Sequence, residues 1–280
     1  MAVLLALLSS VLWGSADFLG GVVSRRRAAA LVVGASQLAG LLSIAAVALV
    51  AGSFDDPTGY LPWAVASGLS GLVGLVCFYA ALASGTMGVV SPIAALGVTV
   101  PVFVGLARGE RPGVVQLVGI GIAIGGVVLA SGPELRGRAG TRPLLLAVVA
   151  AVGFGLALLF IAEGSRTSTL MTLVGMRMTS VSVLFVALLV ALGRVGRERL
   201  VLDRRDAALV AVVGVGDVAA NLAFGLASTR GLVSVVAVLG SLYPVVTVLL
   251  ARIVLHERLG SAQTLGVAGA LGGVALIAAG

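Results

Sequence analysis

Lysine is absent from the chain, which also has a single cysteine, a single histidine and only 10% charged residues. Cys77 alone cannot form an intrachain disulfide, and with His256 as the lone histidine no cysteine–histidine cluster can hold a metal. His256 lies in a loop between apolar runs, and neither a nucleophile elbow nor a His-Glu-x-x-His motif occurs. A membrane hydrolase or transferase needs a nucleophile with its base, or a metal, so an enzyme is not expected and no cofactor is. The scarcity of charge goes with 60% hydrophobic residues and a mean hydropathy of +1.20, which exclude a soluble globular domain. The net charge of +7 comes from arginine, set mostly in short stretches between apolar runs, an arrangement that suits anionic lipid headgroups and not nucleic acid.

What the chain does have is apolar runs, ten of them, at about 2–23, 28–51, 60–83, 87–107, 112–131, 143–163, 168–193, 206–228, 231–251 and 259–279. At roughly 20 residues each they match the length a helix needs to cross a hydrocarbon core. The first is read as a span and not a signal peptide, because it holds Trp13 and Asp17 and no basic segment precedes it.

The runs form two copies of one unit. Gly88, Ser91, Leu96, Gly97 and Pro101 recur 143 positions later as Gly231, Ser234, Leu239, Gly240 and Pro244. Glu110, Arg111, Gln116, Gly119, Gly125, Gly126 and Val127 recur 147 positions later as Glu257, Arg258, Gln263, Gly266, Gly272, Gly273 and Val274. The change of four is about one helical turn, which leaves helix faces in register. A weaker match at 141 pairs Leu4, Leu5, Ala6, Gly14, Ser24 and Arg25 with Leu145, Leu146, Ala147, Gly155, Ser165 and Arg166. The expected organisation is a first repeat over 1–131, a loop over 132–142 rich in glycine and arginine, and a second repeat over 143–280. Five spans per copy is odd, so the second copy enters the membrane from the opposite side. The expected fold is an all-α membrane protein of ten transmembrane helices in two inverted five-helix repeats, an architecture that gives a transporter two equivalent openings around one central site. The alternative is a larger bundle with no transport role, a scaffold or sensor.

Loops after the odd-numbered runs carry 13 arginines and those on the other face four, with Asp55 and Asp56 also on that other face. The positive-inside rule puts the arginine-rich face in the cytoplasm and both termini outside.

The early Trp13-Gly14, the prolines of the fourth and ninth runs, and the Glu-Arg turns before glycine-rich fifth and tenth runs resemble the drug/metabolite transporter superfamily and, within it, the EamA-type transporters. The resemblance spans essentially the whole chain. It implies a multi-pass protein of the cytoplasmic membrane that exports or exchanges amino acids, metabolites or drugs, with a cavity formed mainly by helices 1–4 and 6–9. It also implies cytoplasmic termini, against the arginine count.

Polar groups inside the bilayer are costly and mark the chemistry. Arg177 and Asp217 lie about nine and eleven residues into the seventh and eighth runs, near mid-membrane, and Asn221 follows Asp217 by one turn on the same face. Asp17 stands one turn beyond Trp13, which gives the expected cavity an aromatic wall and a carboxylate from each half. Asp17, with no intrahelical cation within a turn, is also the candidate for proton coupling. Each has a plainer reading: Arg177 with an aspartate as a structural ion pair, and Asp17 reaching the arginines at Arg25 to Arg27. Gln37 reads equally as a ligand group or a helix–helix hydrogen bond. Tyr79 and Tyr243 read as substrate contacts or packed aromatics, with Tyr243 favoured by its place before Pro244. Glu163 is placed at the interface. Pro101 and Pro244 each remove a backbone donor and mark bends, mobile or static. Gly121 with Gly125, and Gly269 with Gly273, have the spacing for close helix approach, as scaffold or as a homodimer interface through the fifth and tenth helices. The expected partners are membrane lipid, a small-molecule substrate and protons.

Overall fold

The computed structural model describes residues 1–24, 27, 29–84, 93–130, 141–191, 202–254 and 260–279. Among these all regular structure is helical. The helices are α1 (Ala2–Ser24), α2 (Ala29–Val50), α3 (Leu61–Ser84), α4 (Thr99–Ala107), α5 (Val114–Ala130), α6 (Thr141–Ser165), α7 (Thr169–Ala191), α8 (Arg204–Ser228), α9 (Val233–Gly240), α10 (Tyr243–Val254) and α11 (Ser261–Ala279). Each of the ten apolar runs carries helix, but not uniformly. Six helical stretches are long and apolar enough to cross a membrane; Ile93–Ala107, Val114–Gly126, Val233–Thr247 and Thr264–Ile277 are shorter.

Two of those shorter stretches are irregular at the same place in each repeat. A 3-10 turn at Leu96–Val98 precedes α4, and the ninth run splits into α9 and α10 at Ser241 and Leu242. The first interruption includes the repeated Leu-Gly and the second follows it, and both come just before the repeated proline. A proline has no N–H for the carbonyl four residues back, so Pro101 releases the Gly97 carbonyl and Pro244 that of Gly240. The sequence marks these sites as bends; in the second repeat the outcome is a break.

The repeats interlock by exchange. α1 and α2 of the first repeat pack on α8 of the second, while α3 of the first packs on α6 and α7 of the second. Gly14 of α1 lies so close to the Tyr243 carbonyl and Val246 that a Cβ there would come within 2.6 Å of both. Its repeat counterpart Gly155, on α6, stands against the Gly97 carbonyl and Val100, where a Cβ would meet Val100 at 2.8 Å. Each repeat's first helix thus packs on the interruption in the other's fourth.

α5 and α11 pack on each other. A Cβ on Gly273 would come to 2.7 Å from the Gly119 carbonyl oxygen, and one on Gly126 to 2.8 Å from that of Gly266. Gly121 and Gly125, by contrast, face open space. The glycines at this contact are therefore Gly119, Gly126, Gly273 and Gly269, where a Cβ would stand 3.6 Å from the Gly126 Cα; the Gly269–Gly273 pair picked out by spacing lies in it and the Gly121–Gly125 pair does not.

Candidate functional site

Between the repeats lies a cavity of about 1180 Å3, counting space open to solvent. α1, α2, α3, the residues before α4, α6, α7, α8 and the junction of α9 with α10 contribute its lining; none of the described side chains of α5 and α11 does. Gly97, Val98, Ser241 and Tyr243 line it, so both helix interruptions border the cavity, where freed backbone groups escape hydrocarbon.

Its centre is a polar network on Asp217. Arg177, on α7, pairs with Asp217 Oδ2, and its other terminal nitrogen donates to Gln37 Oε1 of α2 at 2.5 Å. Trp13 Nε1 of α1 donates to Asp217 Oδ1 at 3.1 Å. Asn221 Nδ2 donates to the Asp217 backbone carbonyl at 2.7 Å and to Oδ1 at 3.4 Å. Arg177 is only 4% exposed, and a lone guanidinium at this depth costs about 2.5–3.5 kcal/mol on insertion scales. The carboxylate and the Gln37 amide oxygen offset that cost. Arg177 Nε remains buried without a partner, beside Gly40, where an added Cβ would stand 3.6 Å from it.

Asp17 lines the same cavity, within electrostatic reach of Asp217 and Tyr243. Among the described residues it makes no hydrogen bond or ion pair. Arg27, one of its expected partners, instead donates to Asp206 at 2.6 Å and Asp203 at 2.7 Å at the start of α8. Arg25 and Arg26 lie outside the described residues. Hydrogen bonds hold the Asp203 carboxyl below its ordinary range, first from the Asp206 backbone N–H and then from Arg27, while the Arg27 guanidinium is raised, chiefly by Asp206.

Seven of the eight binding residues read from the sequence therefore line one cavity: Trp13, Asp17, Gln37, Arg177, Asp217, Asn221 and Tyr243. Tyr79 lies on α3, but its side chain is outside the described ones. Trp13 does more than form a wall, since its indole N–H links the first repeat to the second repeat's carboxylate.

On α2 the lining comes from Val33, Ser36 and Gln37, nearer the arginine-rich loops, and on α6 from Phe154, Ala157, Leu158 and Ile161, nearer the arginine-poor ones. The arginine-poor end is bridged by polar groups. Glu163 at the end of α6 is 9% exposed and pairs with Arg108, after α4, and with Arg166 at 3.2 Å. It is a buried bridging carboxylate in the last turn of α6. Glu110 accepts hydrogen bonds from the backbone N–H groups of Val233, at 2.9 Å, and Ser234, at 3.0 Å, capping α9 across the repeat boundary. Gly109, at φ 90°, makes the turn that sends Glu110 back over Gly105, where a Cβ would come to 2.5 Å from the carboxylate. Only the recurrence of Glu110 as Glu257 signalled it in the sequence. Glu257, Gly88 and Ser91, which would form the counterpart, lie outside the described residues.

The model of the EamA-like transporter family matches residues 1–132 and 141–279. The chain belongs to the EamA-like transporter family. As a member it is an integral, multi-pass membrane transporter for a small-molecule substrate, in a family of transporters and not of enzymes. A crystal structure described only as that of a protein superposes with a TM-score of 0.80 over 98% of this chain and 95% of its own, at 19% identity. At that identity the likeness speaks for the fold. No curated protein matches the chain.

Proposed function

We propose that this EamA-like protein is a secondary transporter that works by alternating access, carrying a small metabolite, amino acid or drug-like compound across the cytoplasmic membrane as an exporter or proton-coupled exchanger. The observation that carries this reading is the cavity at the seam of the repeats, bordered by both helix interruptions and lined by Asp17, Arg177 and Asp217. The interlocked groups, α1 and α2 with α8, and α3 with α6 and α7, act as the bodies that rock about it.

In the proposed cycle the arrangement with Glu110 on α9 and Arg108 on Glu163 is the state closed on the arginine-poor face. Release of those links, with bending at Pro101 and Pro244, opens that face. The arginine-rich loops mark the cytoplasmic side. Arg177 and Asp217 are the fixed charges, satisfied by one another and by Gln37, Trp13 and Asn221. Asp17, with no such partner among the described residues, is the carboxylate that takes up and gives up a proton.

The test uses purified protein in proteoliposomes, with and without an imposed pH gradient, screened against labelled compounds. Wild-type protein is expected to concentrate its substrate down the gradient, and Asp17→Asn to lose that accumulation while keeping counterflow exchange. Wild-type transport that ignores the gradient, or a variant that still concentrates substrate, removes Asp17 from coupling. A protein that moves nothing in the screen returns the chain to the scaffold alternative.

A further inference from the structure

Taking the cavity as the transport site, we infer that its cargo is an organic cation, a protonated amine on an apolar body about the size of an aromatic ring, and not an anion or a zwitterionic amino acid. The inference follows from which charges in the cavity are already answered. Among the described residues three charged side chains line it, Asp17, Arg177 and Asp217, leaving one carboxylate in excess. The Arg177 terminal nitrogens serve Gln37 and Asp217, and its Nε is buried and inaccessible, so a substrate carboxylate would meet no free cation. It would also enter beside Asp17, where like charges repel in a setting with little water to screen them. Asp217 is answered as well, by Arg177, Trp13 and Asn221. Asp17 alone is left to form a new charge-assisted bond. An ammonium there answers two desolvated charges at once.

The neighbouring groups fit the same ligand. Trp13 is one helical turn from Asp17, and because its N–H is committed to Asp217 it offers a cation its ring; Phe224 tilts against that ring with centroids 5.9 Å apart. The Tyr243 hydroxyl oxygen can accept a further ammonium N–H. The α3 and α6 side of the cavity is apolar, with Leu72, Leu75 and Leu158 around Phe78 and Phe154, whose rings meet edge to face at 5.7 Å. A cationic head beside α1 and a hydrophobic tail towards α3 and α6 satisfy both walls, whereas a polyamine or a sugar leaves the second wall unused.

The chain has two tryptophans, and the second, Trp63, lies outside the cavity against Phe160. Trp63→Phe therefore makes Trp13 fluorescence a direct report of occupancy. Purified Trp63→Phe protein would be titrated with 2-phenylethylamine, 3-phenylpropionate, 2-phenylethanol and phenylalanine, which share a ring and differ in charge. The amine is expected to bind about ten- to a hundredfold tighter than the other three, the range of one charge-assisted bond. Asp17→Asn should erase that preference and Asp17→Glu keep it, each checked for a monodisperse elution profile. Equal binding of all four, a preference for the anion or the amino acid, or an Asp17→Asn variant that still selects the amine overturns the inference. If Asp17→Asn fails to fold, the four-ligand series and Asp17→Glu still decide it. Counterflow of labelled 2-phenylethylamine in proteoliposomes separates the two claims: selective binding without flux contradicts transport, while flux of some other compound without amine selectivity contradicts only the cargo class.

Discussion

The paired helices α5 and α11 and the helices around the cavity are made of equally apolar sequence, yet they are held together by different physics. α5 and α11 contain no charged residue, and they meet through glycines that let backbone approach backbone. The cavity helices also use glycine to approach, at Gly14 and Gly155, but their centre is a network of charged and polar side chains reaching across the repeat boundary. In hydrocarbon no hydrophobic effect draws helices together, so packing and polar bonds share the task. The difference marks the candidate site: the charges, each costly in a membrane, are gathered on the cavity wall, and the uncharged pair stands away from it.

The largest expected effect comes from breaking the cavity network. Arg177→Ala leaves Asp217 without its cation, and loss of one partner of a buried pair costs about 3–5 kcal/mol. Detergent thermal melts should record a large drop, with transport abolished. Arg177→Ala combined with Asp217→Ala should recover most of the stability and none of the transport. Recovered transport would make the pair purely structural and erase the contrast with α5 and α11.

Next comes the glycine contact. Gly273→Ala sets a Cβ 2.6 Å from the Ala123 backbone nitrogen, and overpacking of this kind costs about 1–3 kcal/mol. Gly121→Ala on the open face of α5 should instead be neutral or stabilise by up to about 1 kcal/mol through helix propensity. In both variants, substrate affinity of the folded protein should be unchanged. An altered affinity would bring α5 and α11 into the transport cycle.

Smaller again is Glu110→Ala, which uncaps α9 at a cost of about 0.5–2 kcal/mol. Because that cap joins the repeats only on the arginine-poor face, the variant should raise exchange at that face, read as faster labelling there. The smallest effect belongs to Asp203. Its carboxyl is held below the ordinary value of 3.8, so its contribution is complete at neutral pH and is lost as pH falls through the lowered value. Melting temperatures recorded from about pH 6 down to about pH 3 should fall less steeply for Asp203→Asn than for the unchanged protein. Parallel curves would remove Asp203 from the acid response.

How much of this was legible in the sequence follows the same division. The ten runs, the two repeats and the Arg177 partner were readable because hydrocarbon forces them: a span needs its length, and a guanidinium at mid-membrane needs a carboxylate. The meeting of Trp13 with Asp217 was not, since it depends on how α1 turns against α8 across 204 residues. Gln37 remained open between ligand and helix contact until α2 was seen beside α7. The bridge from Glu163 to Arg108 was not legible, because its position near a helix end says nothing of which residue of the other repeat covers it. Spacing alone placed Gly269 and Gly273 in the contact but misjudged Gly121 and Gly125, since a four-residue interval names a face without saying what packs on it. Gly125 has the interval and an empty surrounding; Gly119 and Gly126 make the contact.

Access to the cavity from both faces in turn is the central claim, and thiol labelling tests it most directly. Cys77 is the single cysteine, so Cys77→Ser gives a background in which a new thiol reports alone. Ser241 lines the cavity at the break between α9 and α10 and is buried. Ser241→Cys in that background, in membrane vesicles of either orientation, should react with a membrane-impermeant thiol reagent from both faces, and Glu110→Ala should speed the reaction from the arginine-poor face. Reaction from one face only, unchanged by Glu110→Ala, would contradict alternating access.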